Sequence, residues 1–289
     1  MKPPPFKYVA VRSVDEVLSV LGSHGDQAKI LAGGQSLTPM LNFRLAHPEM
    51  LVDINRVREL EFITEREDGL RIGCLTRHRT IENSGIIRKK CPILGAAAEQ
   101  VAHVAIRTRG TFGGSLAHAD PAAEFPVVAL LLDASINLRG QKGTRTLPAR
   151  DFFVNLFSTA LQPDELLMDV SFPRWPEGSG WGFRELSRRP GDFAIAIVAA
   201  AVEMQRGKFK EVRISMGGVG STALRASQAE KLLEGEVPSG RALQAAGQAA
   251  SGASDPPDDI HGSAEYRRHV VDVLTQRALG DAVERAAGK

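Results

Sequence analysis

Two adjacent glycines closed by a serine occur twice in this chain, as Gly33-Gly34-Gln35-Ser36 and as Gly113-Gly114-Ser115, each after an apolar or β-like approach. A backbone without side chains bends freely and can bring its N–H groups up to a bound anion. One such segment is equally a tight turn before a buried helix. Two of them, about 80 positions apart, constrain the fold more: facing each other within one domain, they suit a ligand with two adjacent phosphates, hence a dinucleotide. Neither carries the lysine of a nucleotide-hydrolysing loop, and no G-x-x-x-x-G-K-S/T pattern exists. Neither is a hydrolase nucleophile elbow, because Ser36 and Ser115 lack the second flanking glycine.

The second segment is the richer one. Arg107 and Arg109 precede Gly110, and Thr111 and Ser115 flank the glycine pair with hydroxyls. Asp120-Pro121 then reads as an N-cap followed by proline at the first helical position, with Glu124 one turn into the helix.

Bulk properties exclude several alternatives. A net charge of +2 gives no reason to expect nucleic acid or an acidic membrane surface. Aromatics at 6% also argue against a stacking platform for single strands. Cys74 and Cys91 stand alone, so this chain cannot by itself supply four cysteines to an iron–sulfur cluster or zinc, and so few cysteines suit a reducing compartment. The seven histidines form no H-x-x-x-H or H-E-x-x-H pair, and no metal site is expected. The start, Met1-Lys2-Pro3-Pro4-Pro5, lacks the apolar core of a signal peptide, and the longest apolar run, Ala194 to Val202, is too short to span a bilayer. A cytoplasmic protein without membrane insertion is expected.

Periodicity outlines the elements. Strands are expected at 6–11, 29–32 and 51–54, with a capping box at Ser13-Val14-Asp15-Glu16 opening a helix through Leu21, and a short helix at 39–43. Hairpins are expected around Asp68-Gly69 and around Gly140 to Gly143, helices at 80–88, 93–103 and up to 132, and a strand at 166–172. Pro173 to Gly180 is the densest proline and glycine stretch and marks the domain boundary. Beyond it come strands at 181–186, 195–204 and 209–216, then helices at 223–233, 240–250 and 264–279, an order that suits an antiparallel sheet covered by helices.

Gly218-x-Gly220-x-x-Ala223 also follows a strand and matches a dinucleotide fingerprint. Helix then follows helix, with no second parallel strand and no acid on a strand end about 20 residues on, so it reads as a structural turn. Two alternatives stay open on the residues alone: a nicotinamide-dependent dehydrogenase using Gly218, Gly220 and Ala223, and a non-catalytic scaffold whose glycine segments are only turns.

Ala32-Gly33-Gly34-Gln35-Ser36-Leu37, Ile106-Arg107 with Thr111-Phe112-Gly113-Gly114-Ser115, and Ala119-Asp120-Pro121-Ala122-Ala123-Glu124 closely resemble the FAD-binding medium subunits of the molybdenum hydroxylases, the xanthine dehydrogenase and carbon monoxide dehydrogenase family. The resemblance continues from Phe183 to Ala194 and reaches Tyr266-Arg267-Arg268 with Val273-Leu274-Thr275, so it covers nearly the whole chain. It implies an α+β fold: a two-part FAD-binding domain of the vanillyl-alcohol-oxidase/PCMH type at 1–176, with α/β lobes at about 1–55 and 56–176, followed by a C-terminal antiparallel sheet with helices at 177–289.

The same resemblance implies an oxidoreductase subunit that takes electrons from the 2Fe-2S clusters of a small partner chain and passes them through FAD to an external acceptor. A large molybdopterin subunit would carry the substrate chemistry, in a dimer of heterotrimers, so no catalytic residue is expected here. Carried over by position, Ile30, Leu31, Ala32, Gly33, Gly34, Gln35, Ser36 and Leu37 with Thr111, Phe112, Gly113, Gly114 and Ser115 would hold the FAD pyrophosphate and nearby sugars. Glu124 would bind on the ribityl or ribose side, Val101 would pack near the cofactor, and Leu166 or Leu167 would touch the isoalloxazine ring. Arg184 is either a cation near the flavin, favouring negative charge on the ring, or an exposed strand arginine. Gln35 departs from the histidine common in relatives.

Overall fold

The structure, a computed structural model, describes residues 2–176 and 178–288; the outer ends of the expected segments, at 1 and 289, and the start of the second, at 177, lie outside the described residues. The first lobe alternates strand and helix: β1 (Lys7–Ala10), α1 (Val14–His24), β2 (Ala28–Leu31), α2 (Leu37–Asn42) and β3 (Met50–Asp53). Its three strands are parallel in the order β1-β3-β2, with Val9 and Ile30 both in register with Val52. Ser13 caps α1 by accepting the Glu16 N–H at 3.2 Å, and Glu16 reaches back to the Arg12 N–H at 2.7 Å. Val14, Val17, Leu18 and Leu21 recur at helical spacing and are all buried, which fixes the face that α1 turns inward.

The second lobe is built on an antiparallel sheet in the order β4-β5-β10-β6-β7. Its elements are β4 (Ile63–Arg66), β5 (Gly69–Gly73), the short helices α3 (His78–Asn83), α4 (Gly85–Lys90), α5 (Pro92–Gln100), α6 (Val104–Arg109), α7 (Phe112–His118) and α8 (Glu124–Leu131), then β6 (Ser135–Gly140), β7 (Gly143–Pro148), α9 (Ala149–Phe152), a small hairpin of β8 (Phe153–Asn155) and β9 (Ser158–Thr159), and β10 (Leu166–Pro173). Every residue of α8 from Phe125 to Leu131 is buried. A helix apolar on all sides must be covered on all sides, and α8 is: α5 and α7 lie on one flank and the C-terminal sheet on the other.

That third sheet is antiparallel in the order β11 (Ser179–Ser187), β12 (Ala194–Gln205), β13 (Lys208–Gly217) and β14 (Leu224–Arg225). Helices α10 (Ser227–Leu233), α11 (Gly240–Ala253) and α12 (Ala264–Ala286) follow, with α12 laid against β11 and β12. Burial on both faces explains the unbroken apolar run from Ala194 to Val202, all nine residues of which are buried. Gly180 and Gly182 let α12 press onto β11, since a Cβ at either would overlap the Ala282 or Ala278 carbonyl.

Several expectations are corrected. The helix expected over 80–88 breaks at Ser84, which ends α3 and caps α4 through its hydroxyl, accepting the Ile87 N–H at 3.3 Å. The helix expected over 93–103 ends at Gln100, because Ala102 adopts φ 41° and Arg107 satisfies the Val101 and Ala102 carbonyls at 2.9 and 2.8 Å. Asp120 does not cap α8. It closes a turn by accepting the Ala122 N–H at 2.9 Å, Ala123 occupies the cap position, and Glu124 is the first helical residue.

Candidate functional site

The two glycine segments do meet, in unequal roles. After β2 the chain runs through Ala32 to Ser36 into α2, with Gly34 at φ 72°, a conformation that suits glycine. The N–H groups of Gly33, Gly34, Gln35, Ser36 and Leu37 have no acceptor among the described residues. Gln35 folds back to donate from Nε2 to the Gly33 carbonyl at 2.9 Å, which holds the loop without consuming those amides. Ile30 and Leu31 lead into the loop from β2, in register with Val52 and Asp53.

The second segment is helical. Gly113, Gly114 and Ser115 form the first turn of α7, capped by Thr111. Its amides are already used: Phe112 donates to the Thr76 carbonyl at 2.9 Å, Gly113 to Cys74 at 2.8 Å, Gly114 to Thr111 Oγ1 at 3.3 Å, and Ser115 to the Thr111 carbonyl at 3.0 Å. The expectation of two amide-rich loops thus narrows to one such loop against a fitted wall. Glycine is required in that wall by contact, since a Cβ on Gly113 would overlap Cys74 and one on Gly110 would lie 2.8 Å from the His78 ring. Gly33 lies against the Arg109 carbonyl and the Gly110 Cα, and a Cβ on Gly114 would lie 4.0 Å from that of Ala32. Phe112 is fully buried between Phe125 and Phe172, at ring distances of 5.1 and 6.1 Å, and anchors the wall to the core.

The remaining expected residues divide. Val101 follows α5 as its C-terminal cap, buried beside the seam with the C-terminal sheet, where the His103 ring packs on Gly191. Leu166 and Leu167 are buried at the start of β10, whose Met168 carbonyl takes the Cys74 N–H at 3.0 Å. Cys74 in turn holds Gly113, so β10 supports the wall at one remove. Arg184 stands apart. Successive strand residues face opposite sides, and Arg184, like Gly180 and Gly182, faces α12, where Asp281 binds it in a bidentate pair at 2.6 and 2.7 Å.

Its neighbour Glu185 points the other way, toward Glu124. Glu185 Oε2 is buried with no hydrogen-bond partner among the described residues. Burial, and then the repulsion between the two carboxylates, raises the Glu185 pKa far above the usual carboxylate range, and burial raises that of Glu124 as well. The pair therefore carries a proton near neutral pH.

Arg77, Asn55 and Asp53 had no motif to announce them, and Glu185 lay within the Phe183 to Ala194 resemblance without a role of its own. Asn55 donates from Nδ2 to the Ala32 carbonyl at 2.8 Å and to Asp53 Oδ1 at 2.7 Å, and receives the Arg77 guanidinium at 2.7 Å. A position after a buried strand was the sole hint for Asn55. A cavity of about 570 Å³ lined by Arg12, Asn55, Arg56, Arg58 and Glu59 shares only Asn55 with this group.

These features fit a flavin dinucleotide: orphan amides for a diphosphate, a wall where added side chains would clash, and an unpartnered buried carboxylate oxygen. Among the described residues no three metal-ligating side chains cluster. The Gly218 turn is closed off, because β13 has antiparallel neighbours on both sides, the Gly218 N–H donates to the Pro121 carbonyl at 2.7 Å, and Arg267 holds the Gly218 carbonyl at 3.2 Å.

Residues 4–175 match the family described as FAD binding domain in molybdopterin dehydrogenase, and residues 181–282 match the CO dehydrogenase flavoprotein C-terminal domain. The chain is 46% identical to the 6-hydroxypseudooxynicotine dehydrogenase complex subunit alpha of Paenarthrobacter nicotinovorans, over 99% of this chain and 97% of that one. It is 37% identical to the carbon monoxide dehydrogenase medium chain of Hydrogenophaga pseudoflava, over 99% and 100% of the two chains. A solved carbon monoxide dehydrogenase structure from Hydrogenophaga pseudoflava superposes with a TM-score of 0.97 at 38% identity, covering 99% of each chain. Quinoline 2-oxidoreductase from Pseudomonas putida 86 superposes with a TM-score of 0.95 at 38% identity, again over 99% of each.

Proposed function

The chain belongs to the family of FAD-binding flavoprotein subunits of the molybdopterin dehydrogenases, and from that premise we propose that it binds FAD without a covalent link and serves as the electron-transferring medium subunit of a molybdenum hydroxylase. The observation that carries this reading is the run of five N–H groups from Gly33 to Leu37 that no acceptor among the described residues satisfies. Unpaired donors converging from a glycine turn are a ready-made seat for phosphate oxygens. When bound there, FAD supplies the capacity to take up electrons and pass them on to another acceptor.

The chain's own residues bind, orient and shield. The amides from Gly33 to Leu37 would take the diphosphate, with Ile30, Leu31 and Ala32 setting the loop's exit from β2. Thr111, Phe112, Gly113, Gly114 and Ser115 would form the opposing wall, to which Ser115 adds a hydroxyl. Glu124 would meet a sugar or ribityl hydroxyl, joined by Glu185 in place of Arg184, whose guanidinium is engaged on the other face of β11. Val101 and Leu166 or Leu167 would line the ring end, where burial excludes water.

In this reading the partners are a large molybdopterin subunit and a small subunit with 2Fe-2S clusters, arranged as a dimer of heterotrimers in the cytoplasm. The names of the relatives, medium chain and complex subunit, support membership of an assembly of several different chains. Division of the chain at 176/177, with a further seam near 55, completes the reading. The test is direct: the purified full-length chain should show flavin absorption in the near-ultraviolet and blue, or acquire it when FAD is added. A colourless protein that takes up no added FAD would overturn it.

A further inference from the structure

Between the two glycine segments lies an arginine that belongs to neither. The main chain around Arg77 is strapped along the second segment: the Phe112 N–H donates to the Thr76 carbonyl at 2.9 Å, the His78 N–H donates to the Gly110 carbonyl at 3.1 Å, and Arg77 and Thr111 pair as an isolated antiparallel bridge. The half-buried side chain then turns back across the gap. Its Nη1 donates to the Arg109 carbonyl, at the C-terminal end of α6, where a helix leaves its last oxygens without partners of their own. Its Nη2 donates to Asn55 Oδ1 at 2.7 Å, and Asn55 passes the connection to the Ala32 carbonyl at 2.8 Å. Gly33 rests on the same Arg109 carbonyl that Arg77 holds.

We propose that Arg77 is a positioning residue for the cofactor: its guanidinium fork ties Asn55 and Ala32 on one side to Arg109 on the other, and so holds the amides from Gly33 to Leu37 at the spacing a diphosphate needs. The inference rests on the FAD reading above. The planar fork matters as much as the charge. Two acceptors on different segments are met at once by a rigid, planar group, whereas an ammonium on a flexible stem is a point charge without that geometry. Hydrogen bonds from a charged donor are also the stronger kind, and the one to Asn55 is partly shielded from water.

The experiment measures FAD dissociation constants for the full-length chain and for Arg77→Met, Arg77→Lys and Asn55→Ala, alongside the thermal midpoint of each apoprotein. Arg77→Met should bind FAD about 10- to 100-fold more weakly, the loss expected for one or two hydrogen bonds to a charged group. Asn55→Ala should weaken binding in the same direction although the cation remains, Arg77→Lys should recover only a minor part, and the apoprotein midpoints should stay near that of the unaltered chain. Full recovery in Arg77→Lys with unchanged affinity in Asn55→Ala would overturn the strap and leave a simple charge effect. Affinity losses that merely track falling apoprotein midpoints would reduce Arg77 to a general structural role. If Arg77→Met does not fold, Asn55→Ala decides, and unchanged FAD affinity there refutes the proposal. An unaltered chain that takes up no FAD refutes the FAD reading itself, a different outcome from normal uptake that is insensitive to Arg77.

Discussion

Adding a single methyl at Gly33 should separate the two glycine segments. A Cβ there would overlap the Arg109 carbonyl oxygen and lie 2.9 Å from the Gly110 Cα and 3.1 Å from the Arg109 carbonyl carbon. Carbon atoms pack at about 3.5–4.0 Å, so Ala32 to Gly34 must retreat from Arg109 by roughly 0.5–1 Å. None of the opposing atoms is a side chain that could swing away. Overpacking of this kind costs about 1–3 kcal/mol, and the displacement falls on the amides assigned to the diphosphate. If that whole cost opposes binding, Gly33→Ala weakens FAD by about 5- to 150-fold at 1.4 kcal/mol per factor of ten. The assay is quenching of flavin fluorescence on titration of the apoprotein, with circular dichroism to show that the fold persists. Gly280→Ala is the control, because a Cβ on Gly280 meets nothing within 4 Å among the described residues and lies inside α12. Unaltered FAD affinity in Gly33→Ala would refute the claim that the segments touch at this carbonyl.

Further outcomes follow from other contacts. The control itself should raise stability by about 0.5–1 kcal/mol, read as a higher thermal midpoint, because alanine replaces glycine inside a helix. Gly114→Val should cost about 1 kcal/mol through the Thr111 cap, whose Oγ1 lies 2.6 Å from the new Cβ, and should abolish FAD retention while circular dichroism stays near normal. Glu185 has its folded pKa raised to about 9 by burial first and the Glu124 charge second, so the folded state holds a proton that the unfolded chain releases above its own value near 4.5. Its stabilising effect is full below about pH 4.5 and is lost as pH rises toward 9. Glu185→Gln should therefore raise stability, read from the thermal midpoint, by an increment that grows by about 1 kcal/mol per pH unit between pH 6 and 9; an increment independent of pH would show that the carboxylate is not buried in this way.

What the sequence made legible was local, and what it concealed was tertiary. The Ser13 cap, the Asp68-Gly69 and Gly140 to Gly143 hairpins and the doubly buried strand at Ala194 to Val202 each carry their cause within a few residues. Gly113 to Ser115 read as an open loop because glycine disfavours helix on its own, yet Cys74 and Thr76, far away in sequence, take the amides of Gly113 and Phe112 and set the segment as a helix start. Asp120-Pro121 carries every mark of a cap, but its side chain closes a turn two residues on and leaves the helix to begin at Glu124. Arg184 and Glu185 were distinguishable only through register, since the glycines at 180 and 182 decide which face of β11 meets α12. Arg77 had no signature because its role depends on three segments converging.

The helix α8 has a consequence for how the chain is made. Ser215 Oγ donates to the Val127 carbonyl at 2.8 Å, and Arg225 donates to the Leu130 carbonyl at 3.2 Å and to Asp133 at 3.1 Å, so the last sheet supplies polar partners as well as a roof for α8. During synthesis α8 emerges well before β12 and β13 exist to cover it. Until about eighty further residues have been added, the apolar run from Phe125 to Leu131 stands open on one side, and chains in that state are prone to stick to one another or to enlist a chaperone. The C-terminal portion thus closes the flavin-bearing portion, and its last strands must be made before α8 is covered on that side.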